Sequence, residues 1–414
     1  MQKNKIINKG KKLLLLILFI STIFLTSEPI NASSKYIKID SFIKVLVQEI
    51  GLNVDKTVEN PYIHAALEGK IVEVGDFNNY SDYITKTDAA VLLNRADEYL
   101  HGDTVDEKLL EFVVNKRISD LKKVDKSKRE AVAKVYAKGI IKGYSNGYYI
   151  QNRSFKGDGY ITTTGAKNFI KLVTNTKDRA KLSPDGLLIR TTNLPKNYKK
   201  YEYILECYPN KFYEKKQEFM LSEQYKAGER TPELEIFPVD IRNSTFKTWT
   251  EEWPFSIEMD KYLYDWTELA ETYLNYVFNV DYRTVDDKWV EGLAAVYVNS
   301  NLDEAQDIRD YYIKHIKANK VIVESSVIAV EPSTLYSDND YCMRAYVRYK
   351  ITAKDINVKQ NRLLNVQYPN LINLKSGEWR EGIFDIRFGT NNGYSGDGAY
   401  WAIEELTRYN DTLQ

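Results

Sequence analysis

The residues best placed to do chemistry recur at three helix starts: Tyr36-Ile-Lys-Ile-Asp-Ser-Phe42, Ile84-Thr-Lys-Thr-Asp-Ala-Ala90 and Ile161-Thr-Thr-Thr-Gly-Ala-Lys167. The middle copy reads most clearly. Thr85 is a good N-cap, its hydroxyl accepting a first-turn amide, and Asp88 stands three residues on, where a capping-box acid reaches back. Lys86 then falls on the first helical position, beside N–H donors with no intrahelical partner and the positive end of the dipole. A cation there is slightly unfavourable for the helix alone. It makes sense where lysine and backbone amides act together on an anion. The expected chemistry is anion binding rather than bond making.

Patterns that suggest catalysis do not hold up against their own requirements. Gly143-Tyr-Ser-Asn-Gly147 matches G-x-S-x-G, but that elbow needs a strand before it and a helix directly after. Here a short helix precedes and Tyr148-Tyr149 follow, so Ser145 reads as a turn residue. Glu251 and Glu252, beside Trp249 and Trp253, are adjacent and point apart, whereas a glycosidase pair must flank one bond. Gly393-Tyr-Ser-Gly-Asp-Gly398 lacks the P-loop lysine. Asp338 and Asp340 flank Asn339 without the glycine and distal glutamate of a calcium loop, and read as a turn. His64, His101 and His315 show no ligand spacing, which argues against zinc or histidine catalysis. No catalytic residue, metal or cofactor is expected. Cys207 and Cys342 are too few for a disulfide framework and read as small apolar residues.

The elements that must position the three helix starts are short amphipathic helices. Phe42, Ile43, Leu46, Val47 and Ile50 share one helical face, as do Leu92, Leu93, Ala96, Tyr99 and Leu100, and then Phe169, Ile170 and Val173. Shorter helical pieces cover Pro61–Leu67 and Arg129–Lys138, and Ile71-Val72 and Ile140-Ile141 follow them near glycines. A repeated unit too small to bury its own core stacks on its copies. Leu182-Ser-Pro-Asp-Gly186 and Pro195 mark a linker over residues 177–195. Beyond it, Asp260–Asn279 carries an apolar stripe through Leu263, Trp266, Ala270, Tyr273, Leu274 and Val277, and Trp289–Val298 and Asp303–Ala318 suggest two more helices. Val321–Val330, Cys342–Ile351, Leu363–Tyr368 and Trp379–Phe388 are β-branched and aromatic, hence strands, and Ala399–Tyr409 suggests a last helix. The expected fold class is therefore α+β multidomain: an all-α repeat module over residues 33–176, then an α+β domain with an antiparallel sheet over 196–414.

The first residues indicate the compartment. Lys3, Lys5, Lys9, Lys11 and Lys12 precede the apolar run Leu13–Ile20, and Ala32 offers a small residue for cleavage, so residues 1–32 read as a secretory signal peptide. Its removal takes five lysines and Glu28 from a chain of net charge +0, leaving −4. A mildly acidic exported chain is not a nucleic-acid binder, and no later segment has the length of a membrane span.

Ile84-Thr-Lys-Thr-Asp-Ala-Ala90 resembles the "ITRAE" helix start of S-layer homology (SLH) domains, and Gly139-Ile-Ile-Lys-Gly-Tyr-Ser-Asn-Gly-Tyr-Tyr149 resembles their "GIIxGYxDGxF" turn. The resemblance extends over residues 36 to about 175. It implies a three-pronged spindle around a three-helix bundle, bound non-covalently to an acidic, typically pyruvylated secondary cell-wall polysaccharide, with the basic residue of each start touching the ligand. Lys86 and Asp88 match the basic and acidic positions. Lys38 and Asp40 are aligned with them in the first copy, with Ile37 at the capping threonine. In the third copy Thr163 and Gly165 stand at those positions, leaving at most two of three anion sites. Tyrosines such as Tyr144 and Tyr149 would stack on sugar faces. The expectation is a non-catalytic envelope protein anchored at the wall. The alternatives are a wall-tethered hydrolase with its site in the C-terminal domain, or a self-associating surface protein.

Overall fold

The computed structural model describes residues 35–214, 259–296, 308–338, 340–356, 375–390 and 401–408. The signal segment, Glu251/Glu252, Leu363–Tyr368 and Gly393–Gly398 lie outside them. The helices are α1 (Ile39–Ile50), α2 (Pro61–Glu68), α3 (Lys86–His101), α4 (Glu107–Phe112), α5 (Arg129–Ala137), α6 (Thr163–Thr174), α7 (Asn210–Glu214), α8 (Met259–Phe278), α9 (Asp287–Ala294) and α10 (Lys314–Asn319). The strands are β1 (Tyr144–Ser145), β2 (Arg153–Ser154), β3 (Val280–Asp281), β4 (Ile322–Asp338), β5 (Asp340–Thr352), β6 (Trp379–Thr390) and β7 (Trp401–Arg408). The mixture of helices with an antiparallel sheet is the α+β class expected.

The chain divides into two compact units at places other than those the sequence suggested. Among the described residues, the first joins 35–104 with 156–178, and the second joins 105–155 with those from 179 on. The stretch 105–155, assigned from sequence to the repeat module, thus belongs to the second unit.

In the first unit α1, α3 and α6 contact one another as a three-helix bundle, with α2 packed on α1. The apolar stripes do this. Phe42, Ile43, Leu46 and Val47 of α1, Leu92, Leu93 and Ala96 of α3, and Ala166, Ile170 and Val173 of α6 are all buried. Each large aliphatic or aromatic side chain removed from water contributes about 1.5–3 kcal/mol. α1 stops at Gly51, whose left-handed backbone (φ 73°) lets its amide reach the Val47 carbonyl.

The second unit is organised by the five-stranded antiparallel sheet, in the order β3-β4-β5-β6-β7. Period-2 alternation sorts β5 between two cores. Met343, Ala345, Val347, Tyr349 and Ile351 join the α8 stripe, whereas Tyr346 faces Tyr149, Tyr203, Leu205, Tyr208, Phe212 and Tyr213. The expected linker is part of this unit. Ser183 and Asp185 are buried, and Arg117 binds the Asp185 carboxylate at 2.7 Å. The turn at Leu182–Gly186 is present, with the Gly186 amide donating to the Ser183 carbonyl at 2.8 Å.

Two element assignments change. Ala399–Tyr409 was expected to be helical, but Trp401–Arg408 forms β7, paired antiparallel with β6 from Thr390↔Trp401 to Phe384↔Arg408. The open edge of β6 supplies main-chain partners that outweigh the helical preference of Glu404-Glu405-Leu406. The single helix expected over 303–318 is, where described, a π-type turn at Ile308–Ile313 leading into α10. Neither Cys207 nor Cys342 forms a disulfide. Among the described residues no helix is long and apolar enough to cross a membrane, and no group of acidic, histidine or cysteine side chains is arranged to hold a metal.

Candidate functional site

The three helix starts meet in one ring of backbone hydrogen bonds. The Ile37 amide donates to the Ile161 carbonyl (3.1 Å), Ile161 to Ile84 (3.2 Å), and Ile84 to Ile37 (3.1 Å). All three side chains are buried, which is why each copy begins with isoleucine. The residue after each one has the same extended backbone: Lys38 at φ −78°, ψ 158°, Thr85 at −77°, 161° and Thr162 at −72°, 153°. This pseudo-threefold geometry fixes the alignment of the copies.

It corrects the sequence alignment of the first copy by one residue. Lys38 is the N-cap, equivalent to Thr85 and Thr162, and the first helical position holds Ile39, equivalent to Lys86 and Thr163. Asp40 is equivalent to Thr87, and Ser41 to Asp88. The tyrosine and the isoleucine that follows it, rather than the lysine, are the side chains that all three copies share. Only the middle copy therefore carries a basic residue at the first helical position.

The caps follow their chemistry. Thr85 Oγ1 accepts the Asp88 amide (3.1 Å) and donates to the Asp88 carboxylate (2.6 Å). Thr162 Oγ1 accepts the Gly165 amide (3.1 Å). Lys38 provides no such bond, and the Asp40 carboxylate instead accepts from the Ser41 hydroxyl (2.9 Å).

Five first-turn amides at the helix tips are not open to an anion. The Lys86 and Thr87 amides donate to the carbonyls of Gly159 (2.9 Å) and Gly157 (3.0 Å). Those of Ile39 and Asp40 donate to Asp82 (2.9 Å) and Tyr80 (2.9 Å), and that of Thr163 to Lys35 (3.2 Å). Each start is closed by the loop entering another copy, so donors that a lone helix leaves for a ligand are used inside the fold. The clasp of lysine plus backbone amides expected from sequence is therefore overturned for these donors. Lys86 itself is only 7 % exposed, whereas Lys38 is exposed.

The Gly139–Tyr149 turn belongs to the second unit. Gly139 (φ 70°) has the Ala180 carbonyl oxygen 2.1 Å from where a Cβ would stand, so only glycine fits. β1 pairs with β2 through Tyr144↔Ser154 and Ser145↔Arg153. Arg153 braces this hairpin, its guanidinium donating to the carbonyls of Lys142 (2.6 Å) and Gly143 (3.2 Å) and to Glu206 (3.0 Å). Tyr144 and Tyr148 are exposed. Tyr149, expected to stack on sugar, is buried and stacks on Tyr346 instead, ring centroids 3.5 Å apart. Ser145, expected in a turn, instead ends strand β1, where its Oγ accepts the Gly147 amide (3.2 Å); no helix follows directly, so the strand–turn–helix of a nucleophile elbow is not formed.

Sequence reasoning missed two groupings. Tyr36, Tyr83 and Tyr160, each one residue before a ring isoleucine, approach one another to 5.7–6.0 Å. Their identical offset was the available signal. Glu331, Arg344 and Asp385 are cross-strand neighbours on β4, β5 and β6, all buried. Arg344 Nε lies 3.1 Å from Asp385, and Glu331 accepts from Tyr213 Oη (2.7 Å) and Ser333 Oγ (2.9 Å). Burial raises the Glu331 carboxyl to about 7 against these donors.

The family model described as S-layer homology domain matches residues 117–162, a span that contains the Gly139–Tyr149 turn and ends at the third helix start. No curated protein matches the chain. The chain thus carries an SLH domain, which marks a cell-surface or cell-wall-associated protein.

Proposed function

We propose that the protein is held non-covalently at the cell wall through its SLH-type helical parts, on an acidic secondary wall polysaccharide, and that it performs no bond-making chemistry. The observation that carries this reading is the joining of three equivalent helix starts in one closed ring, beside the SLH match at residues 117–162. The contacting groups are side chains at the surface, with Lys38 and Tyr144 as the exposed members of the set expected from sequence. Asp40 and Asp88 shape the helix starts through their bonds to Ser41 and Thr85. Lys86, largely enclosed, supports the start from within. Export by the N-terminal signal segment places the chain where that ligand is found.

The test is co-sedimentation of the secreted chain with wall sacculi from the producing cell, before and after hydrofluoric acid removes the secondary polysaccharide. Retention on untreated sacculi alone supports the reading. Equal retention on both overturns the polysaccharide as the partner. Charge-based contact also weakens as salt shortens the screening length from about 10 Å at 0.1 M to about 3 Å at 1 M.

A further inference from the structure

We propose that Tyr36, Tyr83 and Tyr160 form a sugar-stacking platform at the closed end of the helix ring, taking an acidic sugar residue of the wall polysaccharide; this rests on the wall-binding reading above. Each tyrosine precedes one ring isoleucine, and the extended pairings Tyr36↔Thr162, Lys38↔Tyr83 and Thr85↔Tyr160 hold all three at the N-terminal end of the bundle. Their centroids stand 6.0, 5.9 and 5.7 Å apart, a nearly equilateral triangle about the pseudo-threefold axis. The rings are inclined at 57–65° to one another, with Tyr36 and Tyr83 meeting edge to face, so none is stacked flat on a neighbour.

Closure of the core does not require them. Ile37, Ile84 and Ile161 already seal the bundle at 5 %, 0 % and 4 % exposure, while Tyr83 and Tyr160 remain 39 % and 53 % exposed. Scattered exposed aromatics need no explanation, but three converging rings make one amphipathic surface. A phenol ring offers an apolar face to the C–H face of a sugar and a hydroxyl at its edge to the sugar's own hydroxyls. The lysines next in the chain outnumber the acids by one, which favours an anionic ligand. Lys35 Nζ stands 5.3 Å from the Tyr36 ring, and Lys38 and Lys156 are exposed close by in the chain, against Asp82 and Asp158. With the amides of Ile39, Asp40, Lys86, Thr87 and Thr163 bonded inside the fold, recognition at this end rests on side chains, these rings and lysines among them.

The experiment measures binding of the full secreted chain to untreated sacculi for three variants: Tyr83→Leu with Tyr160→Leu, Tyr83→Phe with Tyr160→Phe, and Tyr99→Leu as an exposed control. The expected result is a Kd raised about tenfold for the leucine pair, equivalent to about 1.4 kcal/mol, with the phenylalanine pair, which keeps the ring faces and loses the hydroxyls, weakened less and the control close to the unsubstituted chain. A leucine pair that melts normally and binds as well as the unsubstituted chain overturns the platform while leaving wall binding intact. An unsubstituted chain that fails to bind overturns both. A second measurement needs no variant: nitration of surface tyrosines with and without polysaccharide released by hydrofluoric acid. Protection of Tyr83 and Tyr160 but not Tyr99 supports the platform, and equal nitration at all three overturns it. A concentration-dependent dimer that the leucine pair abolishes overturns the sugar as occupant in favour of a second copy.

Discussion

The Ile37 amide donates to the Ile161 carbonyl at 3.1 Å, across more than a hundred residues of sequence. With the two equivalent bonds through Ile84, it brings three separate helix starts into one closed figure. That closure explains two results at once: why the copies share a buried isoleucine rather than a lysine, and why first-turn amides of each copy are bonded to the loop entering another.

The two threonine caps differ from the lysine cap in what their loss removes. Thr85→Ala and Thr162→Ala should each destabilise the helical unit by about 1 kcal/mol, since each deletes a side-chain bond to a first-turn amide. Lys38→Ala should leave stability within about 0.5 kcal/mol, because Lys38 makes no cap bond. Hydrogen exchange of peptides from α3 and α6 gives the measurement, and equal protection in Thr85→Ala and the unsubstituted chain would contradict it.

Two glycines of similar φ should separate backbone strain from steric exclusion. Gly51→Ala meets nothing within 4 Å and should cost only the left-handed penalty of about 1–2 kcal/mol. Gly139→Ala adds a clash with the Ala180 carbonyl at 2.1 Å and should cost at least about 3 kcal/mol in the second unit. Thermal melts of the two variants compare them directly.

These contrasts also show what could be read from the residues. The stripes of α1, α3, α6 and α8 follow from spacing, and β4, β5 and β6 from runs of β-branched and aromatic residues. β7 was not legible, because Glu404-Glu405-Leu406 prefers a helix and the deciding term is a long-range pairing with β6. The anion clasp was half legible. Thr85 announces its cap, but nothing local announces that Gly157 and Gly159, some seventy residues on, will take the adjacent amides. The one-residue error at Lys38 arose because a lysine was matched to a lysine, whereas backbone geometry matches it to threonine. Tyr149 stands in an exposed-looking turn and is buried by Tyr346, which only the tertiary fold reveals.

Glu331 gives the second unit a pH dependence of definite sign. Burial lifts its carboxyl from 4.5 to about 7, opposed by bonds from Tyr213 and Ser333. Cross-strand Arg344 stands beside it and Asp385 beyond, with Asp185 raising it further. Between those two values the folded state holds a proton that the unfolded chain has lost, so stability falls as pH rises through the window and levels above it. The whole effect should approach about 3 kcal/mol. Denaturant unfolding followed by exchange in β4 and β5 should show the decline from pH about 4.5 to about 7 and a plateau above, and Glu331→Gln should flatten it.

Arg344 is fully buried, and its guanidinium donates to Asp385 and to the Phe212 carbonyl. Arg344→Met should cost about 3–5 kcal/mol, because it strands the Asp385 charge without a counterion. Combining it with Asp385→Leu should recover part of that loss, since the stranded charge goes with it. A double variant as unstable as the sum of the single changes would argue against the pair acting as one unit.

The most direct test of the central claim is retention of the secreted chain on wall sacculi with and without their secondary polysaccharide, compared at low and high salt. The account requires retention on untreated sacculi that falls with salt and disappears after hydrofluoric acid. Retention unaffected by the acid, or none at either salt, would contradict it.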